Sequence, residues 1–211
     1  HCNHDCWYCA YKVDHLQLGE DIVEADIIPE KKMVEIVEDV IEMGVKAVTF
    51  SGGGEPLLYK TLPQTVERLA QGGVRVATLT NGSNLKGRIA DSLAKYGTWV
   101  RISIDAWDDP SYNKARGIKG DNFSQIVRNM RSFADKKSPC VLGVSFIVTK
   151  DNYKHLIEAC TIFKEAGVNH VKLSAVVISN DGRKNNQYHG EIMEEVSGLI
   201  AQAQNLNDEN F

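Results

Sequence analysis

The stretch Cys2-Asn3-His4-Asp5-Cys6-Trp7-Tyr8-Cys9 sets three cysteines at C-x3-C-x2-C spacing. Three thiolates on one short loop can hold three irons of a four-iron four-sulfur cluster and leave the fourth without a protein ligand, whereas an electron-carrier cluster is closed by four cysteines. An open iron can bind a substrate or cofactor. The same residues admit other chemistry. Zinc accepts three cysteines and one histidine, with His4 or His15 as the fourth. Cys6-Trp7-Tyr8-Cys9 alone has the spacing of a redox dithiol, although such pairs open a helix after a strand and leave Cys2 without a role.

A second run with chemical content begins at Val45-Lys46-Ala47-Val48-Thr49-Phe50 and passes into Ser51-Gly52-Gly53-Gly54-Glu55-Pro56. The first half is an apolar strand. The glycines allow backbone to approach a ligand closely, and the carboxylate can accept hydrogen bonds from an ammonium group. Glycine runs also simply make turns.

As a pair, the two motifs resemble the radical S-adenosylmethionine enzyme superfamily, from Cys2 to about Ser179. The resemblance implies that Cys2, Cys6 and Cys9 ligate an open 4Fe-4S cluster whose fourth iron is chelated by the amino and carboxylate groups of S-adenosyl-L-methionine. It puts Tyr8 at the aromatic position whose backbone faces the adenine, and Gly53, Gly54 and Glu55 at the motif that binds the methionine amino group. The implied reaction is one-electron reductive cleavage of that cofactor to methionine and a 5'-deoxyadenosyl radical, which abstracts hydrogen from a substrate. A weaker similarity, over residues 143–156, is to members with a C-terminal auxiliary-cluster (SPASM/twitch) domain. Those include peptide-modifying maturases, sulfatase-activating enzymes and dehydrogenases or epimerases of sugars and cyclitols.

The elements that must position these residues alternate in type. Residues 29–43 read as a helix, with Pro29 suited to a first turn and Met33, Val37, Val40 and Ile41 on one face. Strands follow at 45–50, 74–80, 99–104, 141–148 and 168–177, and helices at 62–71, 85–96, 123–134, 153–166 and 191–203. Repeated strand-helix units with β-branched strands predict a parallel sheet covered by helices, curled towards a barrel or left open and doubly wound. The resemblance selects an α/β fold, a partial (β/α)6 TIM-like barrel, with the first strand expected upstream of His1. One core domain over residues 1–211 is expected, with a tether starting after 203. Residues 105–120 read as a long irregular segment facing substrate.

Ligands of parallel strand-helix folds sit at the C-terminal strand ends, so polar residues there are candidates. Thr80 and Asn81 end one strand; Asn81-Gly82 is a strong turn dipeptide, and the resemblance adds cofactor contacts. Ser103 and Asp105 fall on one strand face and need hydrogen-bond partners, which a ribose or a methionine carboxylate would supply; Asp105 could instead cap the next turn. The resemblance directs Arg116 at the cofactor carboxylate, against a solvated loop arginine. It assigns the strand ends of 143–148, with Ser145, and of 172–176 to adenine packing, against ordinary core strands. His4, His15 and His170 show no partner pattern and read as surface or supporting residues. Trp99, Phe123, Cys140 and Cys160 read as core, and Trp107 as lining a pocket or packing locally.

With 211 residues, 43% of them apolar and 25% charged, the chain can bury a sizeable core. A net charge of −4 gives no footprint for nucleic acid or an anionic membrane. No apolar run reaches the ~20 residues that span a bilayer. The expected partners are a small-molecule or peptide substrate and a low-potential electron donor such as flavodoxin or ferredoxin. The expected compartment is the reducing cytoplasm. Two rivals stay open: an iron-sulfur electron-transfer or scaffold protein, and a zinc-stabilised (β/α) domain.

Overall fold

Apolar residues at alternate positions give strands and apolar residues at helical spacing give helices, in the order α1 (Glu30–Glu42), β1 (Ala47–Phe50), α2 (Leu62–Gln71), β2 (Arg75–Thr80), α3 (Gly87–Tyr96) and β3 (Gly97–Ser103). Then come α4 (Asp109–Arg116), α5 (Asn122–Ala134), β4 (Val141–Val148), α6 (Leu156–Glu165), β5 (His170–Ala175), α7 (Gly182–Gly190) and α8 (Met193–Ala203). The computed structural model describes residues 1–12, 23 and 26–211; His15 lies outside them.

The strands form one five-stranded parallel sheet in the order β1-β2-β3-β4-β5. A doubly wound sheet reverses its strand order at a switch point, and this one does not. With every crossover of the same hand, the helices fall on one face and the sheet curls into a partial barrel.

That asymmetry divides the strand residues. Val100, Ile102 and Ile104 from β3 and the chain after it, with Leu142, Val144 and Phe146 from β4, are at most 2% exposed and meet Leu93, Ile126, Met130 and Phe163 of the helices in one core. Each such side chain contributes about 1.5–3 kcal/mol by leaving water. The alternate residues, Trp99, Arg101 and Ser103 on β3, Gly143 and Ser145 on β4, and His170, Lys172 and Ser174 on β5, occupy the opposite, concave face. Trp99 therefore departs from its expected core position. It is half-buried on the concave face, with the Arg101 guanidinium 4.9 Å over its ring. Phe123, Cys140 and Cys160 are buried as expected.

The expected irregular segment at 105–120 is corrected: it contains α4. Asp108 accepts a hydrogen bond from Ser111 N (2.8 Å), Ser111 Oγ accepts from Asp108 N (3.2 Å), and Pro110 sits in the first turn, a complete capping box. Gly117 ends the helix in the left-handed region at φ 60°. The unexpected α7 is capped by Asp181, which accepts from Arg183 N (2.9 Å); it buries no residue, so apolar periodicity carried no trace of it. No helix among the described residues is long and apolar enough to cross a membrane.

Candidate functional site

Residues 1–12 lie across the C-terminal ends of the strands, held by backbone at two points. Glu55 N donates to His1 O (2.9 Å) and Asp5 N donates to Arg116 O (2.8 Å). Both points need glycine next to them. A Cβ on Gly54 would stand 2.3 Å from His1 O, and one on Gly117 would stand 2.8 Å from Asp5 O. Asn3 ties the middle of the segment down: its Oδ1 accepts from Asn81 Nδ2 (2.9 Å) and its Nδ2 donates to Ser83 Oγ (3.0 Å). Cys2, Cys6 and Cys9 are thereby half-buried free thiols on one loop, with Cys9 N donating to Cys6 O (3.1 Å).

One buried arginine joins this loop to β3. Arg116 donates through Nη1 to Cys6 Sγ (3.2 Å) and through Nη2 to Asp105 Oδ2 (2.6 Å) and Ser103 O (2.9 Å). Its guanidinium lies over the rings of Tyr8 and Tyr112, 5.5 and 5.4 Å from their centroids. The Arg116 and Asp105 side chains are 5% and 1% exposed, so this is a buried ion pair, and Arg116 stays charged. The Tyr8 hydroxyl donates to the same Asp105 oxygen, while Asp105 Oδ1 accepts from Ile147 N (2.6 Å) on β4. Burial, then the Asp105 charge, pushes the Tyr8 phenol well above its ordinary range, which keeps it a donor. Burial likewise raises the Cys6 thiol, opposed by the Arg116 cation.

Glu55 is the second anchor, 6% exposed. Its Oε1 accepts from Leu57 N (2.9 Å) and Thr80 Oγ1 (2.5 Å), and its Oε2 from Asn81 N (2.7 Å). A carboxylate offers about four acceptor sites, so one remains for a donor from outside the chain. Burial raises its pKa while these donors oppose the shift.

The sequence candidates thus fall into connected and separate sets. Cys6, Tyr8, Asp105, Arg116 and the Ser103 carbonyl form one network. Glu55, Thr80, Asn81 and Gly54 form another, joined to the first through the cysteine segment. Gly53 is an exposed turn residue, and Ser145 stands beside Ser103 in register on the concave face. Three open alternatives are decided. Arg116 is no solvated loop residue; its helix buries it to 4% exposure. His4 takes the supporting alternative and not the surface one: it is 4% exposed, edge-on to Tyr112 (centroids 5.7 Å), with burial and the Arg116 and Lys12 charges lowering its pKa to about 4. Asp105 does not cap the following turn. Sequence reasoning missed Asn3, Tyr112, Gly117 and Asn152, whose Nδ2 donates to Asp105 O (3.0 Å). The Asp108-x-x-Ser111 signature, read as a helix start, would have brought Tyr112 and Arg116 onto one helix. Beside the network, Trp7, Tyr8, Asp105, Trp107 and Tyr188 line a cleft of about 770 Å³, where Trp107 stacks on His155 at 3.6 Å.

Three thiols on one loop with a guanidinium beside one of them are the donor chemistry that an iron-sulfur cluster takes, since thiolates bind and a cation offsets their charge. Among the described residues, no three His, Cys, Asp or Glu side chains are drawn together around a single-ion position.

Residues 1–160 match the Radical SAM superfamily. An S-adenosylmethionine-dependent nucleotide dehydratase of Lacinutrix mariniflava is 32% identical over 160 residues, 72% of this chain and 32% of that protein. A probable GTP 3',8-cyclase of Sulfurisphaera tokodaii is 26% identical over 201 residues, 94% of this chain and 60% of that one. The chain therefore spans less than two thirds of the length of either relative. Among solved structures, anSMEcpe with bound AdoMet superposes with a TM-score of 0.71 at 20% identity, covering 94% of this chain and 55% of that one. Streptococcus suis SuiB bound to S-adenosylmethionine gives 0.65 at 19% identity, covering 92% and 46%.

Proposed function

The chain belongs to the radical SAM superfamily, and from that premise we propose that Cys2, Cys6 and Cys9 hold a 4Fe-4S cluster and that S-adenosyl-L-methionine binds beside it, against Glu55. Bound together, the two groups would supply a 5'-deoxyadenosyl radical that takes a hydrogen atom from the substrate. The observation that carries this reading is the way residues 1–12 are seated: the cysteine loop and the Glu55 carboxylate share the same strand ends, linked by the His1–Glu55 and Asn3–Asn81 contacts.

Each residue then has a definable task. Glu55 holds one acceptor site towards the cofactor ammonium group, and Thr80 and Asn81 position that carboxylate rather than touching the cofactor with the groups already spent on it. Arg116 offsets thiolate charge at Cys6 and clamps the loop to β3 through Asp105. Tyr8 is fixed by its phenol, which leaves its backbone to face the adenine. Ser103 and Ser145 present hydroxyls on the concave face, where ribose or substrate hydroxyls would meet them. A low-potential donor protein is the electron source. The nucleotide dehydratase and the GTP cyclase act, by their names, on nucleotides, which favours a small-molecule over a peptide substrate.

The test is anaerobic reconstitution with iron and sulfide, followed by reduction in the presence of S-adenosylmethionine. The protein should form 5'-deoxyadenosine, and Cys2→Ala, Cys6→Ala and Cys9→Ala should each abolish both cluster absorbance and product. Product retained by Cys6→Ala would sink the assignment. A stable cluster without cofactor affinity would support the electron-carrier reading instead, and zinc in place of iron the zinc-stabilised one.

A further inference from the structure

The concave face of the sheet carries a charge pattern that the cysteine and Glu55 networks leave unused. None of the five strands contains Asp or Glu, yet the concave positions include Arg101 on β3 and Lys172 on β5, with His170 in the same patch. The register sets them in two rows: Arg101 beside Gly143 beside His170, and, nearer the strand ends, Ser103 beside Ser145 beside Lys172. The neighbours Val171 and Leu173 pack into the helix-side core, which fixes Lys172 on the concave side.

Neither cation has a carboxylate partner among the described residues. Arg101 lies over Trp99, and its Nε is buried without a hydrogen-bond acceptor, a cost that a bound anion would remove. The His170 ring occupies the space that a side chain at Gly143 would fill, within 2.4 Å of its Cβ position. Burial and the Arg101 field lower the His170 pKa, so the imidazole stays neutral beside the guanidinium and keeps an N–H to donate. Unpaired cations on a sheet face repel each other and cost stability unless a ligand offsets them.

We propose that this face, Arg101, His170 and Lys172 with the Ser103 and Ser145 hydroxyls between them, binds the oligophosphate group of a phosphorylated small-molecule substrate. The inference rests on the proposed function, which makes the concave face the substrate side of the cofactor. Distributed charge is favoured over a single carboxylate because β3 and β5 stand two strand spacings apart, about 10 Å, and an arginine fork matches phosphate oxygens bidentately.

The probe is inorganic pyrophosphate, titrated calorimetrically into the full-length, cluster-loaded protein. Wild type should bind it, and Arg101→Gln and Lys172→Gln should each weaken binding about tenfold or more. Lys31→Gln, which removes the same charge from exposed α1, should leave affinity within about twofold. Lys172 is exposed and Arg101 Nε has no partner to lose, so both variants should fold, as circular dichroism would verify. Guanosine and guanosine triphosphate form a second arm, in which only the triphosphate should compete with pyrophosphate. Absent binding by wild type, equal losses in all three variants, or competition by guanosine would overturn the proposal. 5'-Deoxyadenosine formation by the same wild-type preparation is read separately: its absence would count against the proposed function, whereas its presence with pyrophosphate affinity unmoved by Arg101→Gln and Lys172→Gln would count against the anion site alone.

Discussion

A guanidinium with 5% side-chain exposure needs partners inside the protein, and both Nη atoms of Arg116 find them in Asp105, the Ser103 carbonyl and the Cys6 sulfur, while its Nε has none. Removing one member of such a pair strands the other charge out of water. Arg116→Gln should therefore destabilise the protein by about 3–5 kcal/mol, read from the urea midpoint, and lower cluster occupancy. Arg116→Lys keeps the charge but loses the fork, and should recover only part of either. A loss below about 1 kcal/mol in Arg116→Gln would mean that the pair does not hold the loop. The remaining cysteines give a second prediction. Burial pushes the Cys140 thiol up to about 12 and the Cys160 thiol up to about 11, so both stay protonated and inert. Iodoacetamide at pH 8 should label Cys2 and Cys9 of the metal-free protein and spare Cys140 and Cys160 until urea unfolds it, as peptide mass mapping would show. At this scale the sequence made Glu55 legible through its glycines, but not the donors that use three of its acceptor sites. Thr80 and Asn81 lie one strand away, and a pairing register is not written in local residue types.

Among the elements, strands and helices with one apolar face were legible to within a few residues, because the core lies on one side of the sheet and every covering helix must match it. β4 and α2 have the expected boundaries. The exceptions are elements held by polar contacts. α4 has little apolar periodicity and is specified by its capping box and Gly117, so it reads as a loop to any search for buried stripes. That makes its cap a functional lever, since α4 ends in Arg116. Asp108→Ala should cost about 1 kcal/mol and raise amide hydrogen exchange over residues 109–116 and, through Arg116 O, at Asp5. Exchange confined to α4, with Asp5 unchanged, would show that the helix and the cysteine segment are not mechanically linked.

Across the whole molecule, the core and the site are separate constructions. The core cluster draws on β1–β5 and their covering helices, and no side chain of residues 1–12 belongs to it. Those residues are attached by backbone contacts to His1 and Asp5, by Asn3 and by the Arg116 network, all on the rim of the strands. A metal that builds a fold makes removal equivalent to unfolding, as in structural zinc domains. Here a bound group has only the rim segment to organise. Stripping metal with a chelator under reducing conditions should leave the far-ultraviolet circular dichroism and the main cooperative transition in place, while hydrogen exchange rises in residues 1–12. Collapse of the helical signal on chelation would instead mean that the metal supports the sheet itself, the behaviour expected of the zinc-stabilised reading.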